Sequence, residues 1–506
     1  MAKNSHEKQE WSSRWAFIFA AISSAVGLGN VWRFPFTAHD NGGGAFIIPY
    51  FVGLLVMGVP LMMLEFTYGS KFKGASPLAL ARVSKKWEFL GWLPTLAAAM
   101  IIFYYGVILV WAMRFAIIAA NQGCGQDTEA FFNNEFLRNS GHALQFNSII
   151  WPMLIGSIIL WGASYLVLSR GIKKGLERVN KIILPLMFVF AMILVARGVT
   201  LDNAAIGLNS LFTPDFGRLG DPSVWLAAFG QAMFSLSLCM GIMITYSSYM
   251  KKGTEMVNTT YMIAIVDVLF AFLFSVGIFA IIGYMAGVAG TAVGDVGGGA
   301  GLVFITLPIA LNYMGTMGIV VGVGFFAMLA ITGWTSFLSL LEAFVAPFTE
   351  KFGWSRKKAY TIVMSIGFVV SLIYVTEAAN PVLGLVDWTI NNIWLPLVGI
   401  LQAVLAAWIV KRLPDFQAYI NTNTLPYFKS GRLWIISLKY VVPVFVSGVL
   451  ILAVWRALTG EIPLLAARST PELLAFVGGT SAIIVVLTVI FIRLPWSVSV
   501  ENFDEG

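Results

Sequence analysis

Charged residues are scarce in this sequence: Asp, Glu, Lys and Arg together make up 11% of its 506 residues. Apolar and aromatic residues make up 58%, and the mean hydropathy is +0.82. A soluble protein of this length carries many more charges on its surface, so the composition excludes that class. It is typical of an all-α polytopic membrane protein.

Cysteine and histidine are nearly absent as well. The two cysteines, Cys124 and Cys239, lie far apart, so the sequence predicts neither a disulfide framework nor a cysteine metal site. The three histidines, His6, His39 and His142, are scattered near the chain end and in loops, and none forms a nucleophile–base pattern. We therefore do not expect an enzyme.

Twelve apolar runs are long enough to cross a bilayer as helices. They lie at about 15–37, 43–69, 88–121, 148–169, 177–197, 223–249, 257–288, 317–347, 358–376, 381–410, 434–456 and 473–493, and are called spans one to twelve below. Lys and Arg cluster in alternate loops, which by the positive-inside rule predicts cytoplasmic N- and C-termini in a plasma (inner) membrane protein. The net charge of +7 then reflects topology and does not indicate a nucleic-acid partner.

Span one is interrupted halfway. Gly27 and Gly29 weaken its helical hydrogen-bond ladder, and irregular backbone at that depth persists only where protein surrounds it or where it lines a polar cavity. A half helix beginning near Gly27 would direct free N–H groups and a positive dipole end into such a cavity. The carbonyls of residues 23–26 could then face a cation.

Span six shows a second interruption, in the stretch from Gln231 to Gly241 that holds two serines and a cysteine. The basic loops make spans one and six run in opposite directions. Each break alone is equally well explained by the frequency of glycine in membrane helices. Breaks at matching positions of two inverted halves, however, indicate a transporter binding site.

Polar residues inside the spans need partners, because an unpaired charge there is costly. Glu65 is expected to hydrogen-bond a broken helix, with direct ion binding as the alternative. Asp267 has no Lys or Arg within a helical turn and is expected to face a cation such as sodium. Thr332, Thr335 and Ser336 either bond to carbonyls of their own helix or form a second cation site.

Two pairs of charges are candidate gates. Arg33 and Asp387 lie near the outer ends of spans one and ten, and would close a vestibule as a pair. Lys8 and Glu350 are a similar candidate pair at the cytoplasmic face, with Trp11 beside them.

The residues of span one also carry a family resemblance. The run SAVGLGNVWRFP at 24–35, followed by NGGGAF at 41–46, resembles the signature of the neurotransmitter:sodium symporter family. FSLS at 234–237, YSSY at 246–249 and GWTS at 333–336 are similar to later family blocks. The similarity runs from about Trp11 to the last span and is closest to the family's bacterial amino-acid transporters.

The resemblance implies a five-plus-five inverted repeat with broken helices one and six, plus two C-terminal helices. The chain would be a single domain, with residues 1–14 as the cytoplasmic N-terminus. The first repeat would span 15–200 and the second 201–410. Accessory helices would follow at 411–493 and a cytoplasmic tail at 494–506.

The resemblance also implies the residues of each site. The first sodium ion would be held by Ala25, Asn30, Ser235 and Asp267, and the second by Ser23, Val26, Thr332, Thr335 and Ser336. The substrate would contact Ala25, Gly27, Leu28, Gly29, Ile101, Tyr105, Phe234, Ser235, Ser237, Met240, Ser336 and Leu340. From the residues alone, Tyr105 and Phe234 are either lids over a solute or ordinary aromatic packing.

Three departures from the family pattern refine this expectation. Gly27 stands where monoamine transporters carry an aspartate, which favours an amino-acid substrate. Lys8 and Glu350 replace an arginine–aspartate pair, and lysine lacks the bidentate fork of arginine. Ala271 lacks the polar or acidic group found at its position in relatives, while Asp267 supplies a carboxylate one turn earlier, so we expect no chloride requirement.

The expected function is sodium-coupled symport of a neutral, hydrophobic amino acid by alternating access. Two alternatives with the same fold stay open: a sensor that binds a substrate without transporting it, and a substrate-gated channel. The apolar spans show no continuous polar lining of the kind that a channel needs.

Overall fold

The computed structural model describes residues 9–121, 123–125, 127–290, 293, 300–422 and 429–500. Most of them are helical, and two isolated bridges, Gly43 with Pro214 and Ile149 with Thr376, are the only strand-like pairings in these ranges. The predicted all-helical fold is therefore confirmed. Lys8 lies outside the described residues.

Ten helices in the described ranges are long and apolar enough to cross a bilayer. They are Gly44–Phe72, Lys85–Ala120, Trp151–Leu168, Ile172–Val199, Val257–Ala289, Thr316–Phe352, Arg356–Val375, Ala379–Ile409, Arg432–Ala466 and Thr470–Arg493. They correspond to the predicted spans two to five and seven to twelve.

The two spans predicted to be broken are divided in the structure. Span one consists of Arg14–Ala25 and Gly29–Asp40, which are bent by 50° relative to each other. Span six consists of two helices, Pro222–Ser235 and Ile242–Ser248, separated by the turn at 236–241. The count of twelve spans and the internal repeat stay predictions.

Shorter helices lie between the spans, at Ser76–Val83, 128–136, Ala204–Phe212, Leu302–Tyr313 and Leu413–Asn421. Two of them, 128–136 and Leu302–Tyr313, lie in the connections that follow spans three and seven. Thr128 Oγ1 donates to the Ile305 carbonyl at 3.0 Å, so these two segments contact each other.

Burial divides the spans into an inner and an outer group. The helix Lys85–Ala120 is buried over most of its length, and the broken spans are enclosed with it. Apolar side chains of spans four, five, eleven and twelve are exposed instead; Ile182, for example, is 62% exposed. Since a lipid bilayer accepts apolar surface, this exposure marks the membrane-facing helices.

Close helix contacts depend on glycine at several crossings. The helix Ala204–Phe212 lies against span seven so closely that a Cβ on Gly207 would be 1.8 Å from the Phe279 carbonyl oxygen. A Cβ on Gly283, across the same contact, would be 2.4 Å from the Gly207 nitrogen. Small residues at such positions let membrane helices approach each other closely.

We expect Gly207→Ala to destabilise the protein, by about 1–3 kcal/mol or more, because the new methyl group would overlap backbone that has no side-chain freedom. The matched control is Gly162→Ala, in span four, where a Cβ meets nothing within 4 Å. The midpoint of thermal unfolding in detergent measures both. Equal midpoints for the two variants would contradict the close approach of the helix Ala204–Phe212 to span seven.

Candidate functional site

The break in span one lies where the sequence predicted it, around Gly27. The first half helix ends at Ala25, Val26 takes an extended conformation with ψ of 105°, and the second half begins at Gly29. The Asn30 N–H donates to the Gly27 carbonyl at 3.2 Å. The turn therefore keeps this one backbone hydrogen bond of its own, while several of its other peptide groups face side chains of other spans.

The break in span six is built from left-handed residues. Ser237, Cys239 and Gly241 have φ of +53°, +64° and +71°. This conformation is strained for residues other than glycine and persists only where neighbours hold it. Glu65 Oε1 accepts the Cys239 N–H at 3.0 Å, and Ser237 Oγ donates to the Ser24 carbonyl at 3.0 Å. The prediction that Glu65 hydrogen-bonds a broken helix is confirmed.

A first oxygen-rich cluster joins spans one, six and seven. Asn30 Nδ2 donates to Asp267 Oδ1 at 2.8 Å, and Ser235 Oγ donates to Asp267 Oδ2 at 2.6 Å. Asn30 Oδ1 accepts the Gly27 N–H at 3.0 Å. All three side chains are buried. Ala25, predicted for the same ion, lies at the end of the first half helix on the neighbouring cavity wall.

A second cluster joins span one to span eight. Thr335 Oγ1 lies 2.9 Å from the Ser23 carbonyl oxygen and 2.7 Å from that of Thr332. Ser336 Oγ lies 3.4 Å from the carbonyl oxygens of both Ser23 and Val26. The structure thus brings together all five residues predicted for the second ion. Both clusters consist of carbonyl, hydroxyl, amide and carboxylate oxygens, the donor set that hard cations prefer.

A cavity of about 30 Å³ lies between the two breaks. Its lining includes every residue predicted to contact substrate except Ser235, which bonds Asp267 instead; a contact between Ser235 and substrate stays a prediction. Two lining residues, Ser24 and Ile242, were not predicted. The full lining is Ser24, Ala25, Gly27, Leu28, Gly29, Ile101, Tyr105, Phe234, Ser237, Met240, Ile242, Ser336 and Leu340.

Arg33 and Asp387, the outer candidate gate, each contact another residue instead of pairing directly. The Arg33 guanidinium lies over the Phe234 ring, 4.5 Å from its centroid. Asp387 Oδ1 accepts from Tyr104 Oη at 2.6 Å and from Asn391 Nδ2 at 2.7 Å. Arg33 and Asp387 attract each other through space, but no ion pair joins them in the described residues.

Sequence reasoning missed two of these partners. Asn391 follows Asp387 by four residues and so shares its helix face, which is a signal that the sequence did contain. Tyr104 is brought to Asp387 by the packing of span three against span ten, and no local pattern indicates it. The gating role of Arg33 stays a prediction.

The opposite end of the site is closed by the N-terminal segment. Trp11 is buried, donates from Nε1 to the Tyr246 carbonyl at 2.8 Å, and packs edge-on against the Tyr246 ring. Glu350 accepts the Ala75 N–H with both carboxylate oxygens, at 3.1 and 3.0 Å. Burial lowers the pKa of nearby Arg82, and the Glu350 charge opposes that effect.

The segment after span twelve is fixed to this same end, which the sequence did not predict for residues 494–506. The Ser497 N–H donates to the Lys351 carbonyl at 2.9 Å, and Trp496 Nε1 donates to Glu88 Oε2 at 2.8 Å. Lys351 and Glu88 form a buried ion pair of 2.5 Å. The described part of the predicted tail is therefore packed rather than free.

Comparisons with known proteins agree with this arrangement. The chain is 36% identical over 456 residues to an uncharacterized sodium-dependent transporter of Methanocaldococcus jannaschii, covering 90% of this chain and 92% of the relative. It is 26% identical to the sodium- and chloride-dependent GABA transporter 2 of Mus musculus, over 80% of this chain and 73% of the relative.

A solved structure, that of MhsT in complex with L-phenylalanine, matches with a TM-score of 0.74 and 31% identity, covering 88% of this chain and 99% of that one. The profile of the family described as "Sodium:neurotransmitter symporter family" matches residues 8–124 and 117–495, nearly the whole chain. This chain belongs to the sodium:neurotransmitter symporter family.

Proposed function

We propose that this protein is a sodium-coupled symporter of a neutral, hydrophobic amino acid that works by alternating access, with two sodium ions and no chloride requirement. The observation that carries the proposal is the pairing of the two broken spans around one cavity, with an oxygen cluster on either side. We further propose that it lies in the plasma membrane with both termini in the cytoplasm, as the distribution of basic loops favours.

The amino acid would bind between the breaks. Its carboxylate would face the free N–H groups at the start of the half helix Gly29–Asp40, since a helix N-terminus favours a negative charge. Its side chain would meet Ile101, Met240 and Leu340, which are apolar and line the far wall. Among the described residues, no lysine, arginine or carboxylate lines the cavity, so a charged side chain would lack a partner there.

The first sodium ion would be held by the Ala25 carbonyl, Asn30, Ser235 and Asp267, and completed by the substrate carboxylate. The second would be held by the carbonyls of Ser23, Val26 and Thr332 with the hydroxyls of Thr335 and Ser336. Because the substrate carboxylate would itself ligate the first sodium ion, binding of the substrate and binding of that ion would be coupled. Each ion that crosses 100 mV supplies about 2.3 kcal/mol, so two ions support roughly thousandfold accumulation of a neutral solute.

Chloride independence follows from the charge of the first cluster. Asp267 is buried beside Asn30 and Ser235, and in the described residues it forms no ion pair with lysine or arginine. A chloride ion next to an ionised carboxylate would be repelled, and the carboxylate already supplies the negative charge that a buried sodium ion needs. The position one turn later, Ala271, offers no polar group to an anion.

We expect hydrophobic amino acids to raise the melting temperature of the purified protein in sodium chloride but not in potassium chloride, because ligand and sodium bind only the folded state. A ligand at 100 times its Kd contributes about 2.7 kcal/mol. Sodium gluconate should support the same shift as sodium chloride. A shift that does not need sodium would contradict symport, and one that needs chloride would contradict the anion argument.

We expect Thr335→Val to weaken this sodium-dependent shift, since it removes a hydroxyl from the second cluster while keeping the side-chain shape. The matched control is Thr67→Val, a buried threonine whose hydroxyl, among the described residues, bonds only the Met63 carbonyl of its own helix, at 2.7 Å. The sodium concentration that gives half of the shift measures the effect. An equal sodium dependence of the two variants would show that Thr335 is not part of the sodium site.

We expect Gly27→Ala to lower affinity for the amino acid by about 5- to 150-fold, the equivalent of 1–3 kcal/mol of overpacking. The new Cβ would lie 2.7 Å from Ser336 Oγ and 3.2 Å from the Tyr105 hydroxyl, inside the cavity. Gly106→Ala is the control, because its Cβ would meet Phe337 at an ordinary 3.5 Å. Titration calorimetry measures both, and unchanged affinity in Gly27→Ala would place the substrate elsewhere.

A further inference from the structure

The connection between spans four and five forms a cleft lined almost entirely by positive charges. Its volume is about 470 Å³, and its lining consists of Arg170, Lys173, Lys174, Glu177, Arg178 and Lys181. Five of these six side chains are cationic. None of the residues proposed above for sodium or substrate belongs to this cleft.

Most of the cations in the cleft have no partner among the described residues. Lys181 pairs with Glu177 at 2.6 Å, whereas Arg170, Lys173, Lys174 and Arg178 form no ion pair or side-chain hydrogen bond with described residues. Cations elsewhere at this end of the molecule are often engaged: Lys351 pairs with Glu88 and Arg356 pairs with Glu342. The cleft therefore concentrates positive charge without neutralising it.

The backbone of the cleft adds to this positive field. Gly171 has a φ of +87° and turns the chain sharply into the helix Ile172–Val199. Lys173 and Lys174 stand in the first turn of that helix, where the dipole already makes positive charge unfavourable. An anion between these side chains would relieve both the repulsion among the lysines and their conflict with the dipole.

The position of the cleft indicates that the anion belongs to a membrane lipid. It lies at the ends of two membrane-facing helices, whose exposed apolar side chains continue away from it: Leu166 is 57% exposed and Ile182 is 62% exposed. Apolar surface of this kind is covered by acyl chains. A lipid whose chains lie on this surface would bring its headgroup to the level of the cleft.

We propose that this cleft binds the phosphate-bearing headgroup of an anionic phospholipid. The proposal requires that this end of spans four and five lies at a membrane surface, and it does not depend on the transported substrate. The cleft also touches the N-terminal segment, because both the N–H and the hydroxyl of Ser12 donate to Glu177. A headgroup phosphate would compete with Glu177 for Lys181, so lipid binding is linked to the anchoring of the segment that precedes span one.

The test compares full-length protein in nanodiscs of phosphatidylcholine alone with protein in nanodiscs that also contain phosphatidylglycerol. The readouts are the melting temperature and the number of phosphatidylglycerol molecules retained in native mass spectrometry. We expect phosphatidylglycerol to raise the melting temperature and to be retained by the wild-type protein.

The combined variant Lys173→Gln, Lys174→Gln and Arg178→Gln should lose this effect, with an apparent affinity lower by a factor on the order of 100, about fivefold for each cation. The matched control is Lys85→Gln, Lys252→Gln and Lys357→Gln, which removes as many cations from three other loops and should behave as the wild type. If the triple cleft variant does not fold, the single variant Lys174→Gln should show the fivefold loss.

An equal loss in the cleft and control variants would overturn the proposal, because it would indicate diffuse attraction to the membrane. The absence of any phosphatidylglycerol effect on the wild type would also overturn it. A third arm adds inorganic phosphate to the phosphatidylcholine nanodiscs. The same stabilisation by free phosphate would assign the cleft to a soluble anion and contradict the lipid source.

Discussion

The structure depends on how peptide groups are satisfied where two membrane helices are interrupted. In a bilayer each unsatisfied backbone group is costly, so the breaks persist only because other spans supply partners. Glu65 from span two accepts the Cys239 N–H, and Thr335 from span eight approaches the Ser23 carbonyl. Intact helices thus hold the breaks open, and Thr335, which supports the backbone of span one, is also among the groups proposed to bind sodium.

This constraint also explains what the sequence could predict. Composition and hydropathy predicted the helical fold and the locations of both breaks, because lipid imposes strong rules on what a span can contain. The residues of the clusters around Asp267 and Thr335 were implied by the family resemblance as a whole. The left-handed conformation of Ser237 and Cys239 was not, since neither residue type requires it and only tertiary contacts with Glu65 and span one stabilise it.

The parts that sequence reasoning missed are contacts between distant segments. Tyr104 bonds Asp387 across two spans, and Trp496 reaches Glu88 from beyond the last span. Periodicity within a helix carries no information about such partners. They lie at the two ends of the cavity, where the proposed alternating access would require contacts that can form and break. The N-terminal segment, through Trp11, and the C-terminal segment are fixed at the same end.

The central claim is that the interrupted backbone of span one takes part in sodium binding, beside Ser235 at the end of the first half of span six. Amide hydrogen exchange of the purified protein, compared in sodium and in potassium and followed by mass spectrometry, tests it most directly. The account predicts that sodium slows exchange in peptides covering residues 23–30 and 235–241, with little change in the membrane-facing span four. Exchange that is indifferent to sodium at both breaks, or protection confined to other regions, would contradict it.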